Sequence, residues 1–413
     1  MSTIQRKITI PDNELTPTLG VVSKLQQQVV EPLKQAFVNK EEVIDLIALT
    51  AVCGENLLIF GPPGTAKSQL VASFSAALQG RYFEYLLTRF TEPNEIFGPV
   101  DIRKLREGSV VTNIEGMLPS AEIAFLDEVF NANSAILNSL LTILNERMFR
   151  RGRETHKLDL FAVFAASNAL PDDTALRALF DRFLLRVRCE AVPEESMGSL
   201  LDAGWKLEVD RLQGGSIPAA PVSVVELKQL ARAVGKVNLA PARDAYIELV
   251  HRIRHAGVEL SDRRAVKLLK MVAGSALLSG RTDTHLSDLW VLRYIWDNED
   301  QIELLDQIVT SAIEGSLKDA GAAGGGGAAV HPRAYNRSVI RIQDLLAEAN
   351  RVQKLVQTDG NTELGRTFCK ERLARIIDHM AWLPSNADHA SVQMLKQTAE
   401  KIELLLKNLE RSA

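Results

Sequence analysis

The segment GPPGTAKS, residues 61–68, has the residue types and spacing of a phosphate-binding loop. It follows the pattern G-x-x-x-x-G-K-S/T, except that Ala66 stands where the second glycine is usual. Backbone N–H groups and the positive end of a following helix would meet on the anion, and Lys67 would add a point charge. We expect Ala66 to be tolerated through a negative φ at the start of that helix. A chance match in a Gly/Pro turn is the alternative, which the flanking strand and helix patterns disfavour.

Two carboxylates, Asp127 and Glu128, come directly after the apolar run EIAFL. At the carboxyl edge of a sheet, the first would hold Mg²⁺ together with the Ser68 hydroxyl. The second would orient or deprotonate an attacking water. An Asp-Glu pair after a strand is also a common solvated turn. Its place downstream of a phosphate-binding loop favours the phosphoryl-transfer interpretation.

Asn168 and Arg182 are two further candidates for the same chemistry. Asn168 ends the apolar run FAVFAAS and could reach between the acidic pair and a terminal phosphate, or it could only cap a turn. Arg182 could reach the phosphate of a neighbouring subunit, where an arginine contributes about 10³–10⁵ in rate. It could equally pair with Asp181, a local contact worth little. The sequence leaves both alternatives open at each position.

The elements that must position these residues alternate between short apolar runs and amphipathic stretches. This alternation predicts an α/β fold with a largely parallel sheet flanked by helices over residues 1–192. The predicted strands are NLLIF (56–60), YFEYLL (82–87), EIAFL (122–126) and LFAVFAA (160–166), and the predicted helices are KSQLVASFSAAL (67–78) and NSAILNSLLTILNERMF (133–149).

From about Val192 the apolar period is helical throughout, which predicts an all-α region over residues 193–315. The Gly/Ala-rich stretch DAGAAGGGGAAV interrupts it, so we predict a flexible linker over residues 316–336. Three amphipathic segments follow, and they predict a small helical bundle over residues 337–413.

Composition and charge argue against several classes of protein. With 46% hydrophobic and 24% charged residues and a net charge of −4, the chain indicates neither a nucleic acid nor an anionic membrane as partner. No apolar run is as long as a membrane span, and the first residues lack the apolar core of a signal peptide. Its three cysteines show no metal-ligand spacing. We therefore expect a cytoplasmic protein.

In their order and spacing, these elements resemble the AAA+ ATPase superfamily, more narrowly the MoxR family and its RavA-type branch. MoxR-type loops commonly read P-G-x-A-K-S/T, so the resemblance makes Ala66 a family feature. The resemblance extends over roughly residues 20–290. The other matching stretches are EYLLTRFTEPNEIFGP (84–99), GMLPSAEIAFLDE (116–128), ILNSLLTILNERMFR (137–150), LFDRFLLR (179–186) and LSDRRAVKLLKMVAGSALLSGR (260–281).

The resemblance implies a role for each matching position. Asp127 and Glu128 would form Walker B, with Ser68 and Asp127 holding Mg²⁺. Asn168 would be sensor 1, and Arg182 would be the arginine finger that acts on the next subunit. Arg263 would be sensor 2 at the γ-phosphate, with Arg264 as the alternative register. The implied ATP-binding residues are Val38, Gly61, Pro62, Pro63, Gly64, Thr65, Ala66, Lys67, Ser68 and Gln69.

The resemblance also implies an assembly. An arginine finger acting across an interface requires a ring of copies of this chain, which we expect to be a hexamer. Residues 98–118 match the hairpin that this clade inserts into its second helix, facing the central pore. Its basic residues Arg103, Lys104 and Arg106 could contact a client, or could simply be solvated. Partners implied for MoxR proteins are a client complex and a protein with a von Willebrand factor A (vWA) domain.

Three functions are compatible with these residues. The favoured one is Mg²⁺-dependent ATP hydrolysis in a ring that remodels or activates a partner complex. A nucleotide-gated binding scaffold with slow hydrolysis is the first alternative. A DNA-acting ring is the second, which the negative net charge and the lack of a recognisable DNA-binding module disfavour.

Overall fold

The computed structural model describes residues 15–107, 111–151, 154–171, 174–212, 222–321 and 389–411, and the positions 331, 333, 346, 349–350, 352–353, 355–356, 369–370 and 373. The chain divides into two compact units, Met1–Leu305 and Asp306–Ala413. All the residues to which we assign chemistry belong to the first unit.

A five-stranded parallel sheet forms the centre of the first unit, in the order β2-β3-β6-β1-β7. Its middle strands are apolar and buried on both faces, as parallel strands covered by helices must be. The predicted strands are confirmed with small shifts at their ends. The strands of the sheet are β1 (Asn56–Phe60), β2 (Tyr82–Leu86), β3 (Ile123–Asp127), β6 (Ala162–Ser167) and β7 (Leu185–Arg188).

The helices of the first unit lie around this sheet and in an all-α region after it. They are α1 (Leu15–Leu25), α2 (Glu31–Ala36), α3 (Glu41–Cys53), α4 (Lys67–Ala76), α5 (Pro93–Phe97), α6 (Ile102–Arg106), α7 (Ser134–Glu146), α8 (Thr174–Phe180), α9 (Met197–Leu212), α10 (Val224–Val234), α11 (Ala240–His255) and α12 (Asp262–Leu278).

Packing against the sheet follows the apolar faces of these helices. Phe74 of α4 meets Phe164 of β6 edge to face, with ring centroids 6.1 Å apart. Helix α7 places Ile136, Leu140 and Ile143 in the core cluster that includes β3. The Asn133 side chain caps α7 by accepting a hydrogen bond from the Ile136 N–H at 3.2 Å.

Two small antiparallel pairings stand apart from the main sheet. Strands β4 (Met148–Arg151) and β5 (Glu154–Lys157) form a hairpin, where the sequence pattern had predicted the end of a helix. The predicted insert at 98–118 is closed by a bridge between Val100 and Thr112, and α6 lies within it. Gly98 is required there, because a Cβ would lie 1.9 Å from the Asn113 carbonyl oxygen.

The second unit is helical at most of its described positions, which agrees with the predicted helical C-terminal region. Helix α13 (Asp300–Gly321) enters it, and α14 (His389–Arg411) lies near the end of the chain. Apolar side chains from three stretches form one buried cluster, among them Val352, Leu373 and Leu395. The first six residues of the predicted linker 316–336 are helical, because α13 continues to Gly321. Most of the rest of that linker lies outside the described residues.

No described helix combines the length and the apolar composition that a membrane crossing needs.

Candidate nucleotide site

The strand order explains why distant residues of the sequence meet. Strand β6 lies between β1 and β3, and all three run in the same direction. Their carboxyl ends therefore share one edge of the sheet, where ligands of open α/β sheets bind. The phosphate-binding loop follows β1, Asp127 ends β3 and Glu128 comes directly after it, and Asn168 follows β6. The sequence predicted this grouping, and the strand order accounts for it.

The loop after β1 is held tightly against its neighbours. The Gly61 N–H donates to the Ser167 carbonyl at 3.0 Å, and the Thr65 hydroxyl donates to the Pro62 carbonyl at 3.0 Å. A Cβ at Gly61 would lie 2.2 Å from the Cys189 carbonyl oxygen, so only glycine fits there. This packing gives the loop one defined path.

Lys67 is the first residue of α4, as predicted. Its ammonium donates to the Gly61 carbonyl at 2.9 Å and to the Pro62 carbonyl at 2.8 Å. The side chain therefore folds back across the loop. The cation and the N-terminus of α4 lie together, which is the arrangement that favours a bound phosphate.

The predicted negative φ of Ala66 is wrong. We expected a negative φ, but Ala66 has φ 64° and ψ 22°, in the left-handed region. The loop backbone needs that turn to enter α4 whichever residue occupies the position. Alanine therefore takes the conformation for which glycine is usual in the general pattern, at a cost of roughly 1–2 kcal/mol. The Ala66 methyl group therefore strains the backbone, because the residue does not have ordinary helical geometry.

Ser68 and Asp127 lie close enough to share one cation. The Ser68 Oγ is 3.4 Å from the Asp127 Oδ2. A hydroxyl, a carboxylate and phosphate oxygens form the ligand set that Mg²⁺ takes beside nucleotides. No cluster of three or more potential acidic, histidine or cysteine metal ligands occurs among the described residues. The pair thus fits a metal that is completed by substrate oxygens.

Glu128 is held in a strained backbone conformation beside Asp127. Its φ is 51°, its N–H donates to Asp127 Oδ1 at 2.9 Å, and the Asn131 amide donates to its carboxylate at 3.3 Å. Burial is the main cause that raises the pKa of Glu128 above its ordinary value, and the negative charge of Asp127 adds to it. A raised pKa suits a carboxylate that accepts a proton from water.

Asn168 reaches this acidic pair through its backbone. A hydrogen bond from the Asn168 N–H lowers the pKa of Glu128, against the larger effect of burial. The turn that carries Asn168 is stabilised by Ser167, whose hydroxyl donates to the Ala169 carbonyl at 2.7 Å. The Asn168 side chain is exposed at the same edge of the sheet.

Val38 lies in the segment between α2 and α3. The neighbouring Lys40 ammonium donates to the Glu190 carbonyl, and the Asn39 amide donates to the Ser196 hydroxyl at 3.2 Å. These contacts tie the segment that carries the half-buried Val38 to the chain after β7, and the role of Val38 in ATP binding stays a prediction.

Arg182 and Arg263 line a different place, an open cavity of about 470 Å³. Arg177, Arg264 and Lys267 also line it, and these five cations outnumber the three acidic residues of its walls, which are Asp181, Glu259 and Asp297. None of the described Walker A and Walker B residues is part of its lining. Within one chain, the structure therefore separates these two arginines from the phosphate-binding loop.

Asp181 and Arg182 do not form the local ion pair that the sequence left open. Asp181 lies 3.7 Å from Arg186 instead. The Arg182 side chain is half-buried, and its Nε has no hydrogen-bond partner in the part of the chain that the structure describes.

Arg263 and Arg264 differ sharply in environment. The exposed Arg263 donates to the Asn145 side chain at 3.1 Å. Arg264 is buried, donating to the Ile295 carbonyl at 2.7 Å and to Asp297 at 3.0 Å. Arg263 is the more exposed of the two, and its assignment as sensor 2 stays a prediction.

The sequence did not predict the ion cluster that Arg186, Arg264 and Asp297 form. Arg186 of β7 is fully buried and donates to Asp297 at 2.5 Å and to the Trp296 carbonyl at 2.6 Å. Burial, and then the nearby Arg264, lowers the pKa of Arg186 to about 9, while Asp297 opposes that shift. The charged residue within the apolar run FLLRV was the only available signal.

Comparison with known proteins supports the same fold. Residues 23–231 match the model of the MoxR domain in the MoxR–vWA–β-propeller ternary systems. Residues 244–309 match an AAA lid domain.

Similar proteins were found in several organisms. An uncharacterised protein of Methanocaldococcus jannaschii is 35% identical over 294 residues, or 70% of this chain and 74% of its own length. The chaperone MoxR1 of Mycobacterium tuberculosis is 24% identical over 170 residues, or 40% of this chain and 44% of its own length.

A solved structure shares the fold. The crystal structure of a candidate ATPase from Cytophaga hutchinsonii superposes with a TM-score of 0.58 at 19% identity, covering 73% of this chain and 97% of that one. The RavA-type branch stays a prediction, because the matching family model is defined by the ternary systems with vWA and β-propeller proteins. The chain belongs to the MoxR family of AAA+ ATPases.

Proposed function

We propose that this protein hydrolyses ATP in a Mg²⁺-dependent reaction, within a ring of identical subunits that remodels or activates a partner complex. One observation carries the proposal. The phosphate-binding loop and the acidic pair share one edge of the sheet, while Arg182 and Arg263 line a cavity away from them. We take a second copy of the chain to complete a site divided in this way.

The residues of one chain would bind and activate the reactants. Lys67 and the N-terminus of α4 would hold the β- and γ-phosphates. Glu128 would take a proton from the water that attacks the γ-phosphorus, and the bond to the bridging oxygen would break to give ADP and phosphate. Mg²⁺ bound to Ser68 and Asp127 would neutralise the charge on the phosphate oxygens.

Arg182 and Arg263 would act on the ATP of the adjacent subunit. Both lie in one cation-rich cavity, and Arg263 is exposed. An arginine that reaches the phosphates only when subunits meet couples hydrolysis to assembly, and it contributes about 10³–10⁵ in rate in other phosphoryl-transfer enzymes. We take the ring to be a hexamer.

The partner is proposed to be a vWA-domain protein, with a β-propeller protein as a third member. The support is the matched family model, which is described from such ternary systems. Capture by the Glu128→Gln variant with ATP, followed by mass spectrometry, would identify bound proteins. Recovery of a vWA-domain protein in an ATP-dependent manner is the expected result, and recovery independent of ATP would contradict it.

Steady-state hydrolysis tests the catalytic part of the proposal. We expect the wild-type chain to hydrolyse ATP at least about 10²-fold faster than Glu128→Gln. Lys67→Ala should lose both binding and hydrolysis, and Lys206→Ala, a substitution of an exposed lysine on α9, serves as the matched control. A wild-type rate no higher than that of Glu128→Gln would contradict hydrolysis and favour a nucleotide-gated scaffold.

A further inference from the structure

The two arginines that line the cavity are carried by segments far apart in the sequence. Arg182 follows α8, and Arg263 is the second residue of α12. For both arginines to act on one phosphate, some contact must hold the two segments in a fixed relative position. The structure contains one such contact, built around a short segment that ends in Asp297.

Arg186 connects the Arg182 side to that segment. One terminal nitrogen of its guanidinium donates to the Phe180 carbonyl at 3.3 Å and lies 3.7 Å from Asp181. The other donates to the Trp296 carbonyl at 2.6 Å and to Asp297 at 2.5 Å. Its carbon centre also lies 3.8 Å from the centre of the Phe180 ring. The turn immediately before Arg182 is thus bound to residues 296–297.

Arg264 connects the Arg263 side to the same segment. Its guanidinium donates to the same Asp297 oxygen at 3.0 Å and to the Ile295 carbonyl at 2.7 Å. Since Arg264 is adjacent to Arg263 in the first turn of α12, these bonds orient that turn. The Asp297 Oδ1 therefore accepts hydrogen bonds from both Arg186 and Arg264.

We propose that Asp297 is a positioning residue, which places Arg182 and Arg263 together as one unit for the ATP of the neighbouring subunit. The inference rests on the proposed function, because it assumes that both arginines act across a subunit interface. The Asp297 side chain pairs with Arg186 and Arg264 and with no described Walker residue, so we assign its effect to these two arginines.

Kinetics would separate this role from ATP binding. Asp297→Asn should lower kcat about 10- to 100-fold, since a displacement of about 1 Å in a positioning group can cost that much. The KM for ATP should stay within about twofold, because the binding loop is untouched. Asp297→Glu retains the charge and should recover part of kcat. A raised KM with an unchanged kcat would overturn the proposal.

Mixed rings give the decisive test. Glu128→Gln subunits lack the base but offer intact arginines, and Arg182→Ala subunits have an intact ATP site but lack the finger. Each alone should be inactive, and an equal mixture should regain activity, because about a quarter of the interfaces then combine the two intact halves. This mixture is the control for the proposed function.

Asp297→Asn should behave as a subunit with an intact ATP site and defective arginines. Its activity should therefore rise when it is mixed with Glu128→Gln and should not rise with Arg182→Ala. A rise with Arg182→Ala would overturn the inference, because Asp297→Asn would then be donating a well-placed arginine. No rise with either partner, while the control mixture recovers, would also overturn it. Failure of the control mixture would contradict the divided site itself.

A loss of folding in Asp297→Asn would also lower its activity, so a second variant is needed. Arg264→Met provides the second variant, because it leaves the Arg186–Asp297 pair neutral and removes only the arm to Arg263. It should show the same pattern in the mixtures, with a smaller loss of kcat. Full activity of Arg264→Met by itself would overturn the Arg263 arm of the proposal.

Discussion

The phosphate-binding edge and the arginine cavity are built in opposite ways. At the edge, the geometry comes from backbone: Ala66 and Glu128 both have left-handed φ values, and Gly61 packs on a carbonyl. At the cavity, the geometry comes from long-range side-chain contacts among Arg186, Arg264 and Asp297. The phosphate-binding edge has local backbone strain where its N–H groups face the ligand. The arginine cavity depends on a balance of buried charges.

The largest effect on stability is expected at the cavity. Asp297→Asn removes the carboxylate that lies between two buried guanidinium groups, so the variant should lose about 3 kcal/mol of unfolding free energy. Arg264→Met leaves a neutral pair and should lose about 1 kcal/mol or less. Urea unfolding followed by tryptophan fluorescence, to which the buried Trp296 contributes, would measure both. Equal losses in the two variants would mean that charge balance is not the cause.

A smaller effect of opposite sign is expected at the phosphate-binding edge. Ala66→Gly removes the strain of a left-handed alanine and should raise the unfolding free energy by about 1 kcal/mol. Ala72→Gly, in the interior of α4 with ordinary helical geometry, should lower it by about 1 kcal/mol and serves as the control. A loss at Ala66 as large as that at Ala72 would contradict the assigned backbone strain.

The smallest effect on stability is expected at Glu128, which is only partly buried. Because folding raises the pKa of Glu128, its ionised carboxylate opposes folding at a pH above that raised pKa. Glu128→Gln should therefore raise the melting temperature at pH 7, and the gain should vanish as the pH falls below the ordinary pKa of a glutamate. Glu248→Gln, at an exposed position of α11, is the matched surface control. A gain that does not vary with pH would contradict the electrostatic cause.

The same contrast explains what the sequence could predict. Strand, glycine loop, helix and acidic pair are local patterns, and the structure placed Lys67 at the start of α4 and Asp127 beside Ser68 as expected. The φ of Ala66 was not predictable from its residue type, because the loop path dictates it. Asp297 lies more than a hundred residues from Arg186, and no local pattern joins the two.

The most direct test of the divided site compares ATP affinity with ATP hydrolysis in Arg182→Ala. The account predicts that hydrolysis falls about 10³-fold or more, while the Kd for ATP, measured by calorimetry, stays within about twofold of wild type. Lys67→Ala, measured alongside, should lose affinity as well. A loss of about tenfold or more in the ATP affinity of Arg182→Ala, equivalent to about 1.4 kcal/mol, would place Arg182 in its own subunit's site and contradict the account.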